Sequence, residues 1–527
     1  MATVAEHLIR RLREVGVRML FGVPGGGGNL DLIAAAGRSG LPFVLTSTET
    51  GGAIAAIAQA EITGAPGACL TTLGPGVASV VNGVACAYLE RAPVFVLTDN
   101  YASTDQDRYE HQRLNHKALL ERITVQSDTL APGSAFASIE AACFYVAPER
   151  SSAGPVHLDC PADFNQPDLQ PTNYAVAEVT GYMLADGTRG TGSPSTTNEE
   201  LLRHSRRPLA LIGLGARHAD HAARIRKLCE SKGLPAMVTY KAKGVVPDRH
   251  PWFAGVFTNG AIEKPLINES DLIIGIGLDE VELLPRPWTP RSYVRYGPAP
   301  ASAVLDGIRQ VETCLQQTEW HATEVHGFHH AQRGQIMIHA AGFTAQQVVA
   351  VAAATLARDC RVTVDAGAHM FPATMLWPVS EPNQMLISNG LSTMGFALPA
   401  AIGAALLERE RPVVALTGDG GLLMCIGELL TAVRERLKII VIVFSDASLS
   451  LIEIKQQARK LAPAGVALGR MDWPSVARGF GAGGLAAENE TELERAIETA
   501  LATSGPTLIE AKIDRSNYGA TLKAIRG

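Results

Sequence analysis

Short apolar strands alternate with helical segments along most of this sequence, and this rhythm restricts the fold more than any other feature. Strands separated by helical patterns of about 10–15 residues pair in parallel, because each helix returns the chain to the same end of the sheet. The sequence therefore predicts a doubly wound α/β sheet over the first 170 residues, with strands at 17–22, 42–46, 67–72, 93–98 and 155–160.

The same rhythm resumes twice, after two polar gaps. A linker rich in Gly, Ser and Thr falls at 176–200, and a second polar gap falls at 315–335. The second gap contains four histidines. Because their surroundings are polar and show no ligand-like pattern, we interpret this segment as a solvated connector rather than a metal site. The sequence thus predicts an α/β fold of three doubly wound parallel-sheet domains, at 1–175, 190–335 and 344–527.

Composition excludes several classes of protein. Lys and Arg number 46 against 52 Asp and Glu, and the pI near 6.2 argues against a nucleic-acid binder. The eight cysteines form no C-x-x-C pair and lie in apolar runs, as reduced buried thiols do. The longest apolar stretches, for example 439–444, are too short to cross a bilayer. A soluble cytoplasmic protein with no membrane or nucleic-acid partner is expected.

The most informative motif joins two strands near the C-terminus. An apolar strand at 412–417 runs into Gly418-Asp419-Gly420-Gly421, and a second strand ends at Asp446, 27 residues after Asp419. Parallel strands deliver both carboxylates to the edge where ligands bind in open α/β sheets. Carboxylates and a backbone carbonyl can hold Mg²⁺ beside phosphate oxygens, and glycines let backbone amides approach. A plain turn with Asp446 as a helix cap is the alternative.

Further segments agree with the phosphate–metal interpretation. They are FGVPGG at 21–26, LGPG at 73–76, SNGLSTMGFALPAAIGAAL at 388–406, DWPSVARGFGAGG at 472–484 and GPTLIEAKID at 505–514. Together with the GDG segment, these ordered motifs resemble the thiamine diphosphate enzymes, in particular their acetolactate synthase-like branch. The resemblance spans nearly the whole chain and implies pyrimidine-binding, central and diphosphate-binding domains in that order.

The resemblance also implies a set of site residues. Glu49 matches the glutamate that hydrogen-bonds the cofactor's N1′, and Gln112 matches an active-site glutamine. Met394 matches the residue that bends the cofactor. The metal ligands implied are Asp419, Asp446 and the backbone carbonyl of Ser448. The other cofactor contacts implied are Gly25, His369, Ser392, Gly418, Gly420, Gly421 and Leu449.

Departures from the family pattern concern the substrate and the central domain. Lys455 stands near a position where acetolactate synthases carry tryptophan, and Thr50 stands where glutamine is frequent. After the strand at 208–213 the dinucleotide fingerprint is incomplete, with His218 in place of its third glycine. The resemblance therefore leaves FAD, an ADP moiety or no ligand open there, with FAD not favoured.

The function implied is a thiamine diphosphate- and Mg²⁺-dependent carboligase, which decarboxylates a 2-keto acid such as pyruvate and joins the remainder to a second carbonyl compound. A simple 2-keto acid decarboxylase, a 2-hydroxyacyl-CoA lyase, a flavin-linked oxidase and a catalytically idle cofactor-binding protein are the alternatives. The resemblance also implies a homodimer or homotetramer, with sites at the dimer interface.

Overall fold

The computed structural model describes residues 3–105, 107–147, 154–165, 197–288, 290–298, 301–356 and 359–527. Within these ranges the chain forms three sheets in which every strand pairing is parallel. The predicted fold class of three doubly wound α/β domains is therefore confirmed. The boundary near residue 175 and most of the predicted linker at 176–200 lie outside the described residues.

The N-terminal sheet has the strand order β2-β1-β3-β4-β6-β5. The strands at the centre of the sheet are mostly apolar and buried, so helices cover both faces as is usual for parallel sheets, whereas the last strand of the order is polar and only part-buried. The strands are β1 Leu20–Val23, β2 Phe43–Leu45, β3 Gly67–Thr71, β4 Val94–Asn100, β5 Gln126–Thr129 and β6 Val156–Pro161, and the helices are α1 Val4–Glu14, α2 Gly28–Ser39, α3 Glu49–Thr63, α4 Pro75–Leu89, α5 His116–Leu120 and α6 Ala135–Val146.

The central sheet has the order β11-β10-β7-β8-β9. Its strands are β7 Pro208–Ile212, β8 Ala236–Val238, β9 Phe253–Val256, β10 Leu272–Ile276 and β11 Tyr293–Tyr296. Its helices are α7 Asn198–His204, α8 Ala219–Lys232, α9 Lys264–Glu269 and α10 Ala301–Cys314, with 3₁₀ turns at Leu214–Ala216 and Glu280–Glu282. Helix α11, Ala322–Ile336, packs beside the edge strand β9.

The C-terminal sheet has the order β13-β12-β14-β15-β17-β16, which repeats the topology of the N-terminal sheet. Its strands are β12 Arg361–Val364, β13 Met385–Ile387, β14 Val413–Gly418, β15 Ile439–Ser445, β16 Gly483–Ala487 and β17 Thr507–Lys512. Its helices are α12 Ala345–Thr355, α13 Met370–Leu376, α14 Ala397–Leu407, α15 Asp419–Cys425, α16 Glu428–Arg434, α17 Ser450–Ala458, α18 Trp473–Gly479, α19 Glu490–Ala502 and α20 Tyr518–Arg526.

Helices α3 and α14 join the two outer domains along a seam of small residues. A Cβ added at Gly403 would lie 2.4 Å from the carbonyl oxygen of Ala55, so the two backbones almost touch. The buried cluster around this seam includes Ile54, Ile57 and Leu398 and continues into both sheets. The N-terminal end of α3, which carries Glu49, is thereby fixed relative to the C-terminal domain.

Two predicted elements were wrong. The polar gap at 315–335 is mostly helix α11, because its polar side chains cover one face while Val325 and Ile336 are buried on the other. The helix predicted over 421–436 is broken into α15 and α16. All eight cysteines are buried with free thiols, as expected. Within the described residues, no helix has the length and apolar character needed to cross a bilayer.

Candidate functional site

Asp419 organises the carboxyl edge of the C-terminal sheet. It follows β14 directly and begins α15, and its carboxylate accepts hydrogen bonds from the backbone amides of Gly420 (2.8 Å), Ala447 (2.6 Å) and Asp446 (3.2 Å). Because β14 and β15 pair in parallel, the turn after β15 lies beside Asp419. The two acidic residues therefore share one edge, as their spacing predicts, and their role as metal ligands stays a prediction.

Asp446 lies in the turn that directly follows β15, and its pKa is raised. Burial raises its pKa to about 6, and the nearby charge of Asp419 adds to this effect. Its carboxylate accepts hydrogen bonds from the Ser448 amide (3.0 Å) and the Ser450 hydroxyl (2.6 Å). Burial also raises the pKa of Asp419. Two partly desolvated carboxylates at one edge fit a divalent cation, whose charge would relieve their repulsion.

His369 supplies a buried nitrogen beside this edge. Its ring stacks on Phe444 at 5.0 Å, and a Cβ at Gly418 would lie only 3.2 Å from it, so a larger residue at position 418 would crowd the ring. Burial lowers its pKa to about 4, which keeps the imidazole neutral at pH 7. Among the described residues no group bonds its buried Nε2. That unpartnered nitrogen fits a ligand such as a diphosphate group.

Sequence reasoning missed Asp365, which lies beneath the same edge at the end of β12. Its fully buried carboxyl accepts hydrogen bonds from the Thr417 hydroxyl (2.8 Å) and the Gly395 amide (2.9 Å). Burial raises its pKa to about 6 against these hydrogen bonds. A Cβ at Gly421 would lie 2.4 Å from Asp365 Oδ2, so this glycine is required by an internal contact. The signal was an acidic residue directly after a buried strand.

Met394 and Leu449 converge on the first turn of α15. A Cβ at Gly420 would lie 2.6 Å from Leu449 Cδ2 and 3.3 Å from Met394 Cε. Both side chains are part-exposed apolar groups above the glycine turn, and they suit a ligand with a flat apolar ring. Ser392 lies nearby in the left-handed conformation, with φ +55°, and its hydroxyl donates to the Asn389 carbonyl.

Glu49, Gln112 and Gly25 border the N-terminal sheet instead. Glu49 is the first residue of α3, and its Oε1 would lie 3.2 Å from a Cβ at Gly76, in the first turn of α4. Gln112 is exposed and packs its backbone on Gly74, at the start of the same helix. Glu49 and Gln112 thus flank one helix start.

Gly25 lies in the turn after β1, where a Cβ would come within 2.4 Å of Asp99 Oδ2. The amide of Gly27 donates to the same oxygen at 2.9 Å. This turn therefore wraps around a carboxyl of its own chain, which is enough to explain the glycine. A contact between Gly25 and a cofactor stays a prediction.

Glu428 connects the C-terminal domain to the turn before Glu49 of the same chain, and no local sequence pattern marks it. Located on α16, its carboxylate accepts hydrogen bonds from the amides of Ser47 (3.1 Å) and Thr48 (2.9 Å). These residues directly precede Glu49. A buried carboxylate of the C-terminal domain therefore holds the turn that carries the candidate catalytic glutamate, and a Cβ at Gly51 would collide with it.

The glycine turn of the central domain does not fit a dinucleotide phosphate. The amide of Leu214 donates to Glu282 Oε2 (2.9 Å), and those of Gly215 and Ala216 donate to backbone carbonyls. A Cβ at Gly213 would lie 2.4 Å from the Leu278 backbone, so the turn is filled by its own chain. The Leu214 amide, which a phosphate would need as a hydrogen-bond donor, thus already donates to the Glu282 carboxylate.

Glu282 gives a prediction about stability. Burial raises its pKa to about 7 from an ordinary value of 4.5. The cost to stability of ionising Glu282 in the folded protein is therefore absent below about pH 4.5, grows as the pH rises, and is complete above pH 7. Glu282→Gln keeps the acceptor for Leu214 and is neutral at every pH. We expect it to raise the thermal unfolding midpoint by about 2–4 °C at pH 8, with the difference shrinking toward pH 5. An equal shift at both pH values would contradict this.

The remaining candidates lie on helices, at exposed or part-buried positions. Lys455 is exposed on α17, and Thr50 on α3 donates its hydroxyl to the Ser79 carbonyl at 2.6 Å. The four histidines of the predicted connector belong to helix α11 and the residue before it, namely His321, His326, His329 and His330. Throughout the described ranges, no group of three or more His, Cys, Asp or Glu side chains could hold a metal ion.

Three family models match the chain in the order of its domains. They are the N-terminal thiamine pyrophosphate (thiamine diphosphate) binding domain at residues 2–119, the thiamine pyrophosphate enzyme central domain at 198–303, and the C-terminal thiamine pyrophosphate binding domain at 365–511. Each match falls on a different one of the three sheets, although β5, β6 and β12 lie outside the matched residues. The matched segments include Glu49, Gln112, His369, Asp419 and Asp446.

Curated relatives match over nearly the full chain at low identity. The acetolactate synthase of Bacillus subtilis is 27% identical, covering 97% of this chain and 93% of its own length. The acetolactate synthase isozyme 1 large subunit of Escherichia coli is 25% identical, covering 97% and 94%. A probable 2-ketoarginine decarboxylase of Pseudomonas aeruginosa is 27% identical over the same shares. The chain therefore belongs to the thiamine pyrophosphate enzymes, within their acetolactate synthase-like branch.

Proposed function

We propose that this enzyme is a thiamine diphosphate- and Mg²⁺-dependent carboligase that decarboxylates a 2-keto acid and joins the remainder to a second carbonyl compound. The observation that carries the proposal is the edge of the C-terminal sheet, where two carboxylates of raised pKa lie beside an unpartnered histidine nitrogen. Acetolactate synthases among the relatives favour ligation over other chemistry.

Each candidate residue has a task in this proposal. Asp419, Asp446 and the Ser448 carbonyl hold Mg²⁺, and the metal together with His369 holds the diphosphate. Met394 and Leu449 support the cofactor's rings, while Glu49 holds a proton at N1′. Thiamine diphosphate, when bound, supplies a carbon nucleophile and an electron sink for the carbonyl substrate. Gln112 and Lys455 face the substrate, and a cation at 455 would attract its carboxylate.

The two halves of the site require two copies of the chain in this proposal. Apolar side chains are exposed beside both halves: Leu423, Met424 and Leu430 follow Asp419, and Leu114 and Leu119 follow Gln112. Met424 is 61% exposed and lies only five residues after Asp419. Such a patch suits burial against a second copy.

We expect the purified enzyme to sediment with at least twice the mass of one 55.8 kDa chain. Met424→Lys should shift it toward the monomer and lower activity in parallel, because a buried charge in the interface is costly. Leu461→Lys, an equally exposed leucine on the loop after α17, is the control. Analytical ultracentrifugation measures both, and a fully active monomer would contradict the shared site.

No flavin is expected in the central domain, because Glu282 and backbone carbonyls already occupy the amides of the glycine turn. The purified protein should show no visible absorbance band of a bound flavin, and added FAD should not change its activity. Stoichiometric flavin released on denaturation would overturn this expectation and reopen the flavin-linked oxidase reading.

The direct test is incubation with Mg²⁺, thiamine diphosphate and pyruvate, followed by CO₂ release and mass spectrometry of the products. An acetohydroxy acid or other acyloin supports ligation. A free aldehyde alone would support a decarboxylase, the activity named for the Pseudomonas relative. Cofactor binding without pyruvate turnover would move the assay to other 2-keto acids and acyl-CoA donors. Absence of cofactor binding would overturn the proposal.

A further inference from the structure

Lys241 is a buried lysine at the point where the three domains meet. It lies in the turn after β8 and is 2% exposed. Its Nζ donates to Glu61 Oε1 at 2.5 Å and to the Ile387 carbonyl at 2.9 Å, and lies 3.1 Å from Glu90 Oε2. Glu61 and Glu90 belong to the N-terminal domain and Ile387 to the C-terminal sheet. One central-domain side chain therefore binds both neighbours.

Glu90 extends this contact toward the cofactor segment. Its Oε1 accepts hydrogen bonds from the Gly390 amide (2.9 Å) and the Ser388 hydroxyl (3.3 Å). The Ser388 oxygen in turn accepts from the Thr393 amide at 3.0 Å. Thr393 directly precedes Met394, whose methyl group lies above the glycine turn of α15. A continuous chain of buried contacts thus leads from Lys241 to the residue predicted to bend the cofactor.

The segment 388–394 has little secondary structure of its own to hold it. It forms no helix or strand, and Ser392 adopts the left-handed conformation that is unfavourable for residues other than glycine. Gly395, at φ +80°, follows in the same region. Such a backbone persists only where its surroundings fix it. Here the fixing groups are Glu90, Ser388 and Asp365, which accepts from the Gly395 amide.

The buried cluster is charged and balanced. Arg217 lies 3.3 Å from Glu61, so two cations face two carboxylates. Burial raises the pKa of Glu61, but Lys241 and Arg217 outweigh it and the net shift is downward. Burial likewise opposes the charge on Lys241, and the two glutamates outweigh it, so its pKa is raised. Lys241 and Glu61 are therefore both ionised at neutral pH, and removing Lys241 takes away one of the two cations that face the Glu61 carboxylate.

We propose that Lys241 and Glu90 are positioning residues that fix the segment 388–394, and with it Met394 and the Ser392 backbone, for cofactor binding. This inference rests on the proposed function, since it is measured through thiamine diphosphate. Neither side chain touches the cofactor position; each acts through the backbone of the segment. A central domain whose glycine turn is closed to dinucleotides would then still contribute to the thiamine site, through one lysine.

The test compares two buried lysines of the same turn. Lys241→Met should weaken thiamine diphosphate binding about 10–100-fold, the usual loss in affinity or activity when a residue that only orients the binding groups of a metal site is removed. Lys243→Met is the matched control: Lys243 is 1% exposed and pairs with Asp248 at 2.9 Å, away from the segment. Lys243→Met should lower the unfolding temperature without changing cofactor affinity. Calorimetric titration with thiamine diphosphate in saturating Mg²⁺ measures the affinity.

Milder variants keep the test valid if Lys241→Met does not fold. Lys241→Arg should restore affinity to within about 5-fold of the wild type, because it retains the charge. Ser388→Ala removes the link from Glu90 to Thr393 without changing charge, and should weaken binding about 3–10-fold. Wild-type affinity in both Lys241→Met and Ser388→Ala would overturn this inference alone. A wild-type protein that binds no cofactor would overturn the proposed function instead.

Discussion

Glu49→Gln is expected to lower kcat about 10²–10⁴-fold, the usual loss when an acid–base group is removed. In the proposed mechanism the Glu49 carboxyl would hold a proton at the cofactor's N1′, and a carboxamide would occupy the same position without exchanging a proton there. Affinity for thiamine diphosphate should change far less than kcat. Steady-state rates with saturating cofactor, together with a cofactor titration, separate the two effects.

The structure makes Glu49→Gln a clean substitution. Glu49 is the first residue of α3, and the cap is made by Thr48, whose hydroxyl accepts from the Gly51 amide at 2.9 Å. Glutamine at the first helical position therefore leaves the helix intact. Glu494→Gln on the exposed face of α19 is the matched control and should keep wild-type rates. Near-full activity of Glu49→Gln would remove the glutamate from the proposed mechanism.

Much of the fold could be predicted from the strand–helix rhythm, because buried parallel strands are short apolar runs that stand out from helices. The strands at 93–98 and 438–444 correspond to β4 and β15 with boundaries shifted by one or two residues. Elements with less apolar character were missed. β16, Gly483–Ala487, has Leu485 as its one large apolar side chain among glycines and alanines, and α11 carries its polar face outward with few buried residues.

The candidate site was predictable where a motif marks a strand end, and unpredictable where long-range contacts define it. Asp419 and Asp446 follow apolar strands directly, so their shared edge follows from parallel pairing. Glu428 contacts Thr48 although the two residues are 380 positions apart in the sequence, and no local pattern predicts such a contact. The same holds for Lys241, which sequence alone would place on a surface turn.

Asp419→Asn is expected to abolish most activity at millimolar Mg²⁺, with a loss of metal affinity of at least about 100-fold. Removal of groups that only support a metal ligand already costs 10–100-fold. The substitution at Asp419 should have two effects, because its carboxylate is a proposed metal ligand and also accepts hydrogen bonds from the amides of Ala447 and Asp446. An amide NH₂ group turned toward those donors would displace the turn that carries the other proposed metal ligands, Asp446 and Ser448.

Asp446→Asn is the discriminating partner of this variant, because it replaces a carboxylate at the same edge with far less disturbance. Its oxygen can still accept from the Ser448 amide, and its NH₂ group can donate to the Ser450 hydroxyl. In the motif that this segment resembles, the position of Asp446 is occupied by either Asn or Asp. We therefore expect Asp446→Asn to retain activity once Mg²⁺ is raised about 10-fold, while Asp419→Asn stays inactive. Metal titrations of both variants, at matched unfolding temperatures, measure this difference; equal losses would show that charge alone, rather than the geometry around Asp419, governs the metal site.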